Sequence, residues 1–383
     1  MDRRQFVRSS VVLGGAMMLA PMARAADAGV FADRIVFGQT VGFDSVWGSL
    51  YKNYTDGMLA CFEQVNAQGG VAGRKLVVKR LEDNYVPEKT VANVRTLIQE
   101  GVFGLVCMGG TGNTVAALPL LEQYRVPAVG AMTGAVAARK ASAPLFHTRA
   151  SYTDEVTKMV QHATTIGLKR IAVVYQDNAF GAGNADAAKA AANKFGAQIV
   201  ALIPHNVNGG DSDMVVDRIA SANPQTTLLF TSPSSVADML LRFQAKYSPL
   251  PLPQPWVLSV TTPKTVFEKA GTLAHGVAVT QVMPGPNART QPLVRAFREA
   301  NDKFGVRTNQ TYEAVEGFLT GRVIVEGLRA CGANPTREAF IQALEGFGTR
   351  DFGGVRVHYD RTNHAGLNYV DVAMIGANGN LVG

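Results

Sequence analysis

Cysteine is scarce in this chain. Among 383 residues there are three, Cys61, Cys107 and Cys331, far apart and set in apolar segments. No Cys-x-x-Cys pair offers a metal or redox centre, and an odd count leaves at least one thiol free. All three are expected as buried, unpaired thiols. With Cys61 the first of them, no cysteine lies near the N-terminus to carry a lipid anchor. The six histidines (His147, His162, His205, His275, His358 and His364) stand singly, without metal-ligand spacing, and are expected at the surface or hinge. His-Glu-x-x-His, Gly-x-Ser-x-Gly and a Walker lysine are all missing. Glu82-Asp83 and the pair Asp211 and Asp213 read as solvated turn residues. No metal, cofactor or catalytic constellation is expected, and the chain is not read as an enzyme.

Long apolar runs are missing too. Past the N-terminus nothing approaches the roughly 20 apolar residues of a membrane helix. The formal charge is +7, of which Arg3, Arg4, Arg8 and Arg24 against Asp2 supply +3, leaving +4 for the remainder. These basic residues are scattered rather than blocked, which argues against a nucleic-acid partner.

The N-terminus has a twin-arginine segment, Arg3-Arg4, then the apolar run Val11–Ala20, then Ala23-Arg24-Ala25. This order is that of an export signal cleaved after small residues. Residues 1–25 are expected to be removed near Ala25, leaving a periplasmic protein of 358 residues, long for one domain and comfortable for two.

From Arg34 the pattern alternates strand and helix. Strands are expected at 34–42, 75–81, 101–108, 170–175, 198–203, 226–231, 256–261, 276–284, 355–359 and 369–375. Helices are expected at 55–66, 87–100, 292–304, 312–331 and 336–345. In the helix at 312–331, Ala314, Gly317 and Gly321 share a face, which suits close packing on a sheet. Two segments begin alike, Asp-Arg-Ile-Val-Phe-Gly at 33–38 and Lys-Arg-Ile-Ala-Val-Val at 169–174. The expectation is an α/β chain of two Rossmann-like lobes, each a parallel-rich sheet with helices on both faces. Lobe 1 takes residues 26–147 and 279–350, lobe 2 takes 148–278 and 351–383, and a hinge with multiple crossings joins them. A cleft between two such sheets can close over a small molecule.

The stretch Met108-Gly109-Gly110-Thr111-Gly112-Asn113-Thr114 organises the first lobe. Its glycines let backbone come close to whatever sits above. Asn113 or Thr114 can cap the following helix, whose N–H groups then face outward as an anion or carboxylate site. The turn Ala131-Met132-Thr133-Gly134 leaves the neighbouring strand at the same edge.

The chain resembles the periplasmic leucine/isoleucine/valine-binding proteins, whose architecture is the type I periplasmic binding protein fold. The resemblance rests on Val65-Asn66-Ala67-Gln68-Gly69-Gly70-Val71-Ala72-Gly73-Arg74, Val126-Pro127-Ala128-Val129, Gln176–Gly183 and Tyr312-Glu313-Ala314-Val315-Glu316-Gly317-Phe318. It implies a ligand carboxylate held at Thr111, Gly112 and Asn113 and at Met132, Thr133 and Gly134. It also implies an aromatic lid at Phe180, where tyrosine is usual, a side-chain pocket near Trp47 and Leu50, and second-lobe contacts from Ser232 and Ser259. The implied function is the substrate-binding protein of an ABC importer. It would bind a small organic solute, branched-chain amino acid-like or an amine-free carboxylate, by hinge closure. As a monomer, it would then serve ABC permease membrane subunits. A ligand-sensing receptor of the same fold is the alternative. Two departures stand out. The acidic residue that holds the ligand's ammonium is missing, Ser259-Val260-Thr261-Thr262 occupying its turn. Tyr85 and Gly110 fall near the family's disulfide cysteines.

Overall fold

The computed structural model describes residues 28–206, 209–307 and 309–382. The export segment expected at 1–25 lies outside them. In the first lobe the chain runs β1 (Arg34–Val41), α1 (Gly48–Ala67), β2 (Lys75–Glu82), α2 (Pro87–Gln99), β3 (Leu105–Val106), α3 (Thr111–Tyr124), β4 (Ala128–Val129) and β5 (Leu145–Phe146). These strands form a five-stranded sheet, order β2-β1-β3-β4-β5, with every pairing parallel.

The second lobe continues with α4 (Tyr152–Thr165), β6 (Arg170–Gln176), α5 (Ala179–Phe195), β7 (Gln198–His205), α6 (Ser212–Ala222), β8 (Thr226–Phe230), α7 (Pro233–Tyr247), β9 (Pro255–Val257), α8 (Pro263–Ala270) and β10 (Ala278–Gln281). Its sheet repeats the order of the first, β7-β6-β8-β9-β10, before two antiparallel strands extend the edge. Each sheet therefore reverses direction beside its first strand, and open α/β sheets bind ligands at that switch point. The shared opening of the two segments at 33–38 and 169–174 reflects this common winding.

The chain returns to the first lobe through α9 (Pro292–Phe304), α10 (Tyr312–Ala330) and α11 (Arg337–Glu345). A small antiparallel sheet follows, β11 (Gly348–Asp351), β12 (Arg356–Asp360) and β13 (Asn363–Gly366), and then the edge strands β14 (Asp371–Ile375) and β15 (Leu381–Val382). Because β10 is hydrogen-bonded into the second sheet, the crossing falls after Gln281 rather than at 279. The small sheet leans on the first lobe, His147 N–H donating to the His364 carbonyl and the Tyr359 hydroxyl to the His147 carbonyl. The last crossing therefore follows Gly366, not 350.

The face of α10 marked by Ala314, Gly317 and Gly321 packs on helix α1, not on a sheet. A Cβ at Gly317 would sit 1.9 Å from the Tyr54 carbonyl oxygen, and one at Gly57 would sit 2.0 Å from that of Ala314. Small residues on both helices thus bring two backbones into contact. Helix α1 also begins at Gly48, seven residues before the expected Thr55. Its N-cap, Trp47, makes no side-chain capping bond, so the start carries no sequence signal.

The three cysteines are free, Cys61 and Cys107 buried and Cys331 half-buried. His147, His205 and His364 are buried rather than superficial, His364 lying 4.2 Å from the Phe146 ring centroid. Among the described residues no helix is long and apolar enough to cross a membrane.

Candidate functional site

The C-terminal ends of both sheets face one another across a narrow cavity. The first lobe lines it with Trp47, Leu50 and Tyr51 from the start of α1, and with Tyr85 from the turn after β2. Gly110 and Thr111 at the start of α3 and Met132 after β4 complete that side. The second lobe contributes Tyr152, Phe180 and Val260.

Of the residues marked in the sequence, Trp47, Thr111, Met132 and Phe180 meet at this cavity. Thr133 stands directly behind, its hydroxyl 2.8 Å from that of Thr111. The others lie elsewhere. Asn113 turns away to donate to the Thr90 hydroxyl at 2.7 Å. Gly112 has only Pro87 near its Cβ position, and Gly134 packs against Tyr152. Ser232 caps α7, accepting the Ser235 N–H. Ser259 is bonded to Arg149 and Glu155.

Tyr51, Tyr85 and Tyr152 are not among the site residues expected from the sequence. The glycines of the two turns explain their positions. A Cβ at Gly109 would lie 2.7 Å from the Tyr51 ring, at Gly110 2.6 Å from the Tyr85 ring, and at Gly134 2.7 Å from that of Tyr152. The glycines expected to admit a ligand admit three tyrosine rings, which in turn wall the cavity. Burial pushes all three phenols above their ordinary range, so the hydroxyls stay neutral.

Helix α3 starts at Thr111, with Gly110 at φ 83° as its N-cap and no capping side chain. The expected cap at Asn113 or Thr114 is thus moved back by three or four residues. The first-turn N–H groups of Thr111, Gly112 and Asn113, with the positive end of the helix dipole, are left for whatever the cavity holds.

Asp83, expected in solvent, is buried and holds Tyr85 in place. Its carboxylate accepts from the Tyr85 N–H at 2.9 Å, the Thr90 hydroxyl at 2.8 Å and the Thr40 hydroxyl at 3.1 Å. Asn84 and Tyr85 both have left-handed backbones, φ 52° and 63°, unusual for non-glycine residues. This is strain held at the cavity wall by a buried carboxylate.

Beneath the cavity, Arg149 on the first crossing ties the lobes together. It is 1% exposed and approaches Glu155 of α4 (3.4 Å) and Glu316 of α10 (3.7 Å), while donating to the Ser259 hydroxyl. Its guanidinium lies 5.5 Å from the Tyr152 ring centroid. Burial works against its charge, but Glu316, Tyr152 and Glu155 outweigh that and hold it above the ordinary arginine value. Burial likewise pushes Glu316 up to about 7, with Arg149 pulling the other way. Glu155 is fully engaged, accepting also from the Ser259 N–H and the Thr280 hydroxyl.

A model of the family described as periplasmic binding proteins matches residues 34–380, and the chain belongs to that family. A curated relative, Leu/Ile/Val-binding protein homolog 3 of Brucella melitensis, is 25% identical over 336 residues, covering 81% of this chain and 87% of its own. The crystal structure of a substrate-binding periplasmic protein from Ralstonia solanacearum superposes with a TM-score of 0.83 at 28% identity, covering 91% of this chain and 99% of that one. A branched-chain amino acid ABC transporter protein from Thermus thermophilus, with bound valine, shares the fold at a TM-score of 0.79 and 17% identity, over 92% and 96% of the two chains. The fold is thus that of the type I periplasmic binding proteins. Among the described residues no group of His, Cys, Asp and Glu is placed to hold a metal ion.

Proposed function

We propose that this chain is the periplasmic solute-binding protein of an ABC importer, closing about its hinge on one small organic solute and delivering it, as a monomer, to permease membrane subunits. The observation that carries this reading is a cavity walled by both lobes at the C-terminal edges of two sheets of identical winding. The chain is a binding protein and not an enzyme on this reading. Thr111, backed by Thr133, offers a hydroxyl, and the start of α3 offers N–H groups, to a carboxylate. Trp47, Met132 and Phe180 enclose the remainder.

The Brucella relative carries a leucine/isoleucine/valine-binding name, but the site here suits a solute without an amine. No carboxylate lines the cavity, and Glu155, behind Ser259, has its oxygens committed to Ser259, Thr280 and Arg149. A buried ammonium left unpaired is costly. The test is a thermal-shift screen of residues 26–383 against amino acids, aliphatic acids, aromatic acids and amides. A solute at a hundred times its Kd adds about 2.7 kcal/mol. Stabilisation by one such solute, abolished in Trp47→Ala, is the expected result. No response to any class contradicts the reading.

A further inference from the structure

We infer that the solute is an aromatic carboxylate, an inference that rests on the solute-binding reading above. Five rings wall the cavity: Trp47, Tyr51, Tyr85, Tyr152 and Phe180. They come from four separate segments of the chain and both lobes, Trp47 and Tyr51 sharing the start of α1, so no single helix face or strand explains their convergence. Phe180 meets Trp47 at 5.5 Å and 73°, and Tyr152 at 5.4 Å and 80°, both edge-on. Edge-to-face contact is favourable for aromatic pairs, and a flat guest between these walls gains the contacts that the walls make with one another.

An aromatic box also suits a cation, and two features decide against one here. The face of Tyr152 is already taken by the Arg149 guanidinium. The cavity also receives the N-terminus of α3 with no side chain capping it, a positive dipole end beside the Thr111 hydroxyl. Both favour an anionic group. A carboxylate on the guest meets α3 and Thr111, while its ring faces Phe180, Tyr152 and Trp47.

The test is isothermal titration of residues 26–383 with benzoate, cyclohexanecarboxylate, leucine, phenylalanine and betaine. Benzoate matches cyclohexanecarboxylate in carbon skeleton and charge, differing only in its flat π system. Expected is saturable 1:1 binding of benzoate at least tenfold tighter than cyclohexanecarboxylate, with no heat from leucine, phenylalanine or betaine. Phe180→Leu, shown folded by its melting curve, should erase the tenfold preference, and Phe180→Tyr should keep it. Tighter binding of leucine, betaine or the saturated acid overturns the aromatic assignment and leaves the solute-binding reading standing. Silence from all five overturns the aromatic assignment, while the wider thermal-shift screen still decides the solute-binding reading.

Discussion

Replacing Gly317 by alanine adds one methyl group where two helix backbones touch. Its Cβ would lie 1.9 Å from the Tyr54 carbonyl oxygen, 2.8 Å from the Tyr54 carbonyl carbon and 3.0 Å from the Met58 nitrogen. All three are main-chain atoms of α1, so no side chain can swing aside. The helices must separate, and the contacts along their shared seam loosen with them. Overpacking a tight core costs about 1–3 kcal/mol and occasionally more, and rigid backbone on both sides puts this site at or above the top of that range. The melting temperature should fall by roughly 6–12 °C, taking about 2–4 °C per kcal/mol. Gly183, inside α5, is the control, since a Cβ there meets nothing within 4 Å. Gly183→Ala should stabilise by about 0.5–1 kcal/mol through helix propensity alone. Differential scanning calorimetry of both variants reads the contrast directly. Equal, small shifts in the two would refute the claim that α1 and α10 meet backbone to backbone. The site depends on this seam, because α1 carries Trp47, Leu50 and Tyr51 to the cavity.

Thr111→Val removes one hydroxyl and keeps the shape. Affinity for the bound acid should drop by about 1–3 kcal/mol, as for a lost hydrogen bond to a charged group; unchanged titration curves would take Thr111 out of the site. Asp83→Ala strips three donors of their acceptor and frees the strained turn at Tyr85, so a urea melt should show a loss of about 2–4 kcal/mol, and a silent variant would mean that the turn holds itself. Glu316 holds its proton more tightly when folded, up to about 7, so its contribution is greatest at low pH and is lost as pH rises from the ordinary carboxyl range through 7. The stability of Glu316→Gln relative to the wild type should therefore rise by about 2.5 kcal/mol between pH 5 and pH 8. His147, which burial holds well below the usual histidine range, gives an opposite slope, but it is present in both proteins and cancels in their difference. Parallel stability curves from pH 5 to pH 8 would contradict the Glu316 argument.

The winding was legible because buried parallel strands and their glycine-rich turns leave unmistakable marks, and Thr111 and Met132 follow those turns. Trp47 and Phe180 were found through the resemblance. Tyr51 and Tyr152 escaped because a tyrosine on a helix face looks the same whether it fills a core or walls a cavity. Tyr85 left a signal that could have been followed: it ends the polar run Glu82-Asp83-Asn84 at the C-terminal end of a strand, the same edge as Thr111. Asn113 and Ser232 misled for a shared reason. Short polar side chains beside a helix start bond to their own surroundings as readily as to a ligand, and here Thr90 and Ser235 take them.

The chain has two tryptophans. Trp47 lines the cavity against Phe180 of the other lobe, whereas Trp256 is buried in β9. In Trp256→Phe the emission of Trp47 alone therefore reports the space between the lobes. Titrating that variant with benzoate should give a saturable 1:1 change in Trp47 emission, with the midpoint set by calorimetry. Calorimetric binding that leaves the Trp47 emission unmoved would contradict closure of the two lobes on a solute at this cavity.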